Sequence, residues 1–216
     1  MSLAIYQDKL RRLKVNIAHG RASPHKICML LALLDLARSG GLVDNRIAFA
    51  PPLLERYHRL FAAVRTPSDH ANPYFPFFHL TGSLRGNEPS FWHLRPLPGR
   101  EAVLASMQTA RSLADITNNV AHASLDPELF DLLQQPESLE ALAETLSVHW
   151  LDRGLQDLRA VAASTRDSRL LDRRIPDFAR LTSLHGQSLF LPQEVRFAPK
   201  RESLARRLEQ LRKLAD

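Results

Sequence analysis

This sequence predicts a mainly α-helical fold carrying a small antiparallel β-sheet (α+β), and three observations point there. Apolar residues recur at helical spacing near the N-terminus. The run "SPHKICMLLALLDLARSGG" contains both a helix start and a helix stop. The candidate strands are short and fall within the first hundred residues. At 216 residues, the chain is long enough to bury a real core as one large domain or two small ones.

Leu3, Tyr6, Leu10, Leu13 and Ile17 lie on one helical face, with Lys and Arg between them, which predicts a helix over 3–18. "HGRAS" breaks it. In the next helix Ser23 suits the N-cap, Pro24 the first helical position, and Gly40 with Gly41 the end. That helix is apolar almost all round, so it is expected at the centre of the core. "NRIAFAPP" reads as a short strand, and Pro51 and Pro52 open a third helix through about Val64. "RTPSDHANP" is a loop. "NPYFPFFHL", residues 72–80, packs four aromatics around two prolines, so it reads as neither an ordinary helix nor a central strand. "GSLRGNEPSFWHLRPLPG" reads as two extended pieces around a turn, with Trp92 in the core. A short helix is expected near 101–106. "SLDPELFDLLQQPESLEALAETLSVHWL" predicts two consecutive helices, with Pro127 and Pro136 near their starts. Residues 151–216 read as a basic helical C-terminal extension.

Charge is unevenly distributed. The net charge is +6, with about +8 in residues 1–100, −7 in 101–150 and +5 in 151–216. A basic block beside an acidic one suits a face that meets a polyanion. No apolar run is long enough to span a membrane, and the N-terminus lacks the apolar block of a signal peptide. The single cysteine, Cys28, sits in an apolar run and reads as a buried hydrophobe. A cytoplasmic protein is expected.

The chain has no HExxH, no paired CxxC, no P-loop and no Gly-x-Ser-x-Gly, so no catalytic residue, metal or cofactor is expected. Two rival readings remain. One is a divergent metal-dependent nuclease using His70, Asn72 and His79. The other is a basic regulator that binds unmodified DNA or a protein through residues 153–216. The stronger signal is basic and aromatic: His25 and Lys26 fall in the first turn of the central helix, where free N–H groups and the helix dipole favour an anion.

"SPHKICMLLALLDL", "YFPFFHL", "SFWHLRP" and "ASLDPELFDLL" occur in this order. Together they resemble the sulfur-binding domain of phosphorothioate-dependent, McrA-like restriction endonucleases, over roughly residues 1–150. The resemblance implies a module that binds double-stranded DNA in which sulfur replaces a non-bridging phosphate oxygen. It implies an apolar cup for the sulfur, with Phe75 as the ring (or Tyr74, if the register slips by one) and Pro76 as the pyrrolidine. The position of the cup's small residue carries His79 here. His25 and Lys26 become the basic clamp. Arg21, Arg85, Asn87 and Arg95 are candidates for phosphate or base contacts. Phe75 and Pro76 are then expected to be exposed, and Phe77, Phe78 and Leu80 buried. Family members usually continue into an HNH nuclease, whose motif is not visible in this chain. The resemblance therefore implies a recognition module, with a homodimer or a fused or recruited nuclease left open.

Overall fold

The computed structural model describes residues 2–18, 21–152, 158–160 and 163. The chain divides into two compact units, Met1–Arg169 and Leu170–Asp216. The second unit, the expected tail helix and nearly all of the basic extension lie outside the described residues.

The expected class is observed: a mainly helical fold with small antiparallel pairings. Helix α1 (Ser2–Arg11) buries Tyr6 and Leu10. It stops well short of residue 18 because the next carbonyls are taken elsewhere. Arg85 N–H donates to the Arg12 carbonyl at 2.8 Å, and Ser23 N–H donates to the Asn16 carbonyl at 2.7 Å. Ile17, expected on the buried face of that helix, instead enters the two-residue strand β1 (Ile17–Ala18), paired with β2 (Arg21–Ala22), and is exposed.

Helix α2 (His25–Arg38) is the centre of the core, and nine of its residues from Ile27 to Leu36 are buried. Its start differs from the expectation by about one residue. Pro24 occupies the cap with helical dihedrals, and the Ser23 hydroxyl bonds the His25 ring rather than a first-turn amide. At its end Gly40 has φ +72°, the left-handed conformation that glycine adopts without a Cβ penalty. Around α2 pack α3 (Pro51–Val64), the short α4 (Tyr74–His79), α7 (Pro127–Leu133) and α8 (Pro136–Leu151). Both Pro127 and Pro136 open their helices as expected.

The aromatic stretch is a correction: "YFPFFH" forms a helix. Pro73 serves as its cap, and Pro76 falls in the first turn, where a missing N–H costs nothing. The segment expected as a first extended piece is instead a 3-10 turn at Arg85–Asn87, with φ positive at Gly86 and Asn87. The expected strand in "NRIAFAPP" reduces to one bridge, in which Ile47 and Ala123 exchange backbone hydrogen bonds.

Strand β3 (Trp92–Pro96) pairs antiparallel with β4 (Val120–Leu125), with Trp92 opposite Leu125 and His93 opposite Ser124. Trp92 is buried, as expected, and its Nε1–H donates to the Phe77 carbonyl at 3.0 Å. Helix α5 (Glu101–Ser106) lies where expected. Helix α6 (Leu113–Thr117) and β4 were not anticipated, although Ser112 and Asp115 form a complete capping box.

Asp126 joins three elements. It accepts from Tyr6 Oη at 3.1 Å, Lys9 Nζ at 3.3 Å and His93 Nε2 at 2.7 Å. Partial burial by itself raises the carboxyl. The bonds from His93, Tyr6 and Lys9 outweigh it and hold Asp126 below the usual carboxylate range. A folded-state pKa depressed in this way stabilises the fold above the unfolded carboxyl's pKa and loses that stability as pH falls through the folded value. Stability is therefore expected to drop below about pH 4, and Asp126→Asn to flatten that part of the profile, read by thermal melts from pH 7 to pH 3. An unchanged acid limb in the variant would count against this assignment.

Candidate nucleic-acid interface

The start of α2 and the outer face of α4 meet at one place on the surface. Pro73, Pro76, Phe77 and Phe78 turn inward and are buried. Phe75, one residue from Tyr74 and two from Phe77, turns outward and is 42% exposed. Its ring packs on His79, one helical turn later, with centroids 4.3 Å apart. Exposure of Phe75 agrees with the sequence reading. Burial of Pro76 corrects it: the helical turn points the pyrrolidine into the core, so Pro76 is not part of an open cup. Tyr74 is partly buried and packs against the core. His79 lies beside the Phe75 ring.

His79 is not an exposed cation. Its Nε2 bonds Thr109 Oγ1 at 2.9 Å. Burial, followed by the nearby Lys26 charge, lowers its pKa, which favours the neutral ring. An imidazole held toward its neutral form and packed at a tilt against a phenyl ring presents a weakly hydrated surface, despite the polar residue type.

Lys26 is half-buried and has no hydrogen-bond or ion-pair partner among the described residues. Burial, then the charge of Lys14, lowers its pKa. Lys14 itself is exposed. It donates to Ser83 Oγ at 2.9 Å and to Asn87 Oδ1 at 3.5 Å. With Lys14 near enough to act on it, and with no ion-pair partner of its own among the described residues, Lys26 makes a locally positive surface beside an exposed aromatic ring.

The other expected contacts are distributed differently. Both ring nitrogens of His25 are committed: Nε2–H donates to the His70 carbonyl at 2.8 Å, and Nδ1 bonds Ser23 Oγ at 2.8 Å. His25 thus fastens the 65–73 loop to the start of α2 and is not free to clamp an anion. Arg21 is held by Asp69 at 3.3 Å and by the Val64 carbonyl. The Arg85 guanidinium lies over the Trp150 ring, 5.5 Å from its centroid. Asn87, at φ +60°, faces Lys14. Arg95 lies on the β3–β4 ribbon and donates through Nε to Ser124 Oγ at 3.2 Å.

Sequence reasoning missed Lys14. Nothing in its local sequence marks it, because the Arg85–Arg12 backbone bond is what docks residues 12–14 on the 83–88 turn. Cys28 is fully buried, and burial pushes its thiol pKa up, as expected of a core residue rather than a nucleophile. Among the described residues, no three His, Cys, Asp or Glu side chains gather to hold a metal ion, and no helix is long and apolar enough to cross a membrane. No protein-family model matches the chain, and no curated protein matches it.

Proposed function

We propose that this chain recognises phosphorothioate-modified double-stranded DNA as a binding module and does not itself cut it. The observation that carries the reading is the exposed Phe75 ring packed on a partly buried His79, beside an unpartnered, half-buried Lys26 at the start of α2. A phosphate oxygen is small and strongly hydrated, whereas sulfur is larger, more polarisable and more weakly hydrated. Two weakly hydrated rings in contact strip water from whichever atom they cover, and the penalty is far heavier for oxygen. Lys26, Lys14 and the free first-turn amides of α2 answer the remaining negative charge. Relative to the cup implied by resemblance, the His79 ring replaces the Pro76 pyrrolidine, and Lys14 replaces His25 as the second cation.

Gel shifts with matched duplexes, one stereospecifically phosphorothioated and one not, test this directly. The full chain is expected to prefer the sulfur duplex by ten- to a hundred-fold, the equivalent of a desolvation difference of roughly 1 to 3 kcal/mol. Lys26→Ala should weaken binding to both duplexes by about tenfold and reduce the salt slope by about one. Equal affinity of the wild-type chain for the two duplexes would overturn the proposal.

A further inference from the structure

A second polar site lies on the ribbon, built from side chains that the sulfur-reading site does not use. Antiparallel register sets His93 opposite Ser124 and Arg95 opposite His122. Residues two apart on a strand share a face, so all four side chains lie on one face. With Asn45 and Pro127 they line an open depression of about 480 Å³.

Three details separate it from ordinary polar surface. Arg95 is oriented through its Nε bond to Ser124, and its two terminal amino groups have no partner among the described residues. His122 Nδ1 is buried and unpartnered, a condition that polar atoms rarely tolerate. The nearby carboxylate of Asp126 is already answered by His93, Lys9 and Tyr6. Asp44, the other carboxylate acting on His122, is outweighed there by Arg46 and Arg95, so the depression is short of negative charge.

We propose that this face is a binding site for a phosphoryl group, held by the Arg95 fork and the His122 imidazole. A guanidinium fork takes two oxygens of an oxyanion. A carboxylate is used up by that contact, whereas a phosphoryl group keeps a third oxygen for the imidazole Nε2–H, Nδ1 being buried. The groups electrostatically coupled to His122 are Arg46 and Asp44 on the preceding loop and Arg95 on β3, with His93, itself bound to Asp126, also lining the depression. Burial, followed by the charges of Arg46 and Arg95, lowers the His122 pKa. A bound anion opposes those charges, so binding is expected to raise the pH at which His122 takes up a proton. The proposal stands independently of sulfur recognition, because the two sites share no residue.

The test follows the imidazole ¹⁵N resonances of the full chain during titration with inorganic phosphate, with His122→Asn used to identify the His122 signal. A saturable shift of that signal is expected. Its midpoint should move to at least tenfold higher phosphate in Arg95→Gln and stay put in Lys26→Ala. No saturable shift, or one undiminished in Arg95→Gln, would overturn the proposal. Arg95 is exposed, so its loss should leave the fold intact. A short unmodified duplex forms the second arm. Movement of the same His122 signal by the duplex supports a nucleic-acid phosphate as the source. Movement by inorganic phosphate alone supports a small phosphoryl compound.

Discussion

Phe75→Ala is expected to abolish most of the preference for a phosphorothioate duplex while leaving the fold standing. The ring is 42% exposed, and its packing partner is His79 on the same helix. Loss of such a surface pair costs under about 1 kcal/mol of stability. Removing the phenyl face uncovers one side of the position proposed for the sulfur, and water re-enters. The oxygen penalty that produces discrimination then disappears, so affinity for the sulfur duplex should fall toward that for the unmodified one. Affinity for the unmodified duplex should change little, because Lys26 and Lys14 are untouched. Phe75→Leu, which keeps apolar volume without the flat ring, should retain an intermediate preference. Parallel gel shifts of the variants on both duplexes read this out. A tenfold or larger preference surviving in Phe75→Ala would remove the ring from the sulfur site.

The same substitution shows what was legible in the sequence. Composition alone marks "NPYFPFFHL" as apolar and cannot say which rings face out. The helix settles that, because a turn of about 3.6 residues puts Phe75 and His79 on one side and Pro76, Phe77 and Phe78 against the core. Treating the prolines as helix breakers hid the helix. Pro73 and Pro76 instead fall at the cap and in the first turn, where a proline has no bond to break. Helix α2, Pro51–Val64 and the two Pro-started helices were readable because their signals are local: apolar periodicity, capping glycine and N-terminal proline. Strand β4 was not. "VAHASL" has little intrinsic strand propensity, and its extended form comes from pairing with β3 and with Ile47.

Site residues divided along the same line. The place of Lys26 follows from helix position, which sequence supplies, whereas the exposure of Phe75 was expected from the resemblance and is explained by the α4 helix. The commitment of His25 to His70 and Ser23, of Arg21 to Asp69, and of Lys14 to the 83–88 turn are long-range facts. A basic residue's availability depends on whether the fold has already given it a partner, and that information is not in its local sequence.

Phe77→Ala, two positions from Phe75, is expected to act in the opposite way and unfold the domain under mild conditions. Phe77 is fully buried and packs edge-on against Trp92 at 5.4 Å and Phe49 at 4.9 Å between ring centroids. Its carbonyl also receives the Trp92 indole N–H, so α4 and β3 are pinned together at this residue. Truncation removes a phenyl ring from the centre of the core and leaves a cavity that the rigid Trp92 ring cannot close. The cost should be about 3–5 kcal/mol, a large share of the total for a marginally stable domain. In a chain of this size that corresponds to a fall in Tm on the order of 10 °C. Phe77→Leu should recover part of the loss by refilling volume. Thermal or urea melts of the two variants beside Phe75→Ala make the comparison internal. If both alanine variants lost similar stability, the division of this stretch into a core face and a binding face would fail, because the two rings would then share one environment. At a temperature where Phe77→Ala remains folded, its sulfur preference should equal that of the wild-type chain, since neither Phe75, His79 nor Lys26 has been altered.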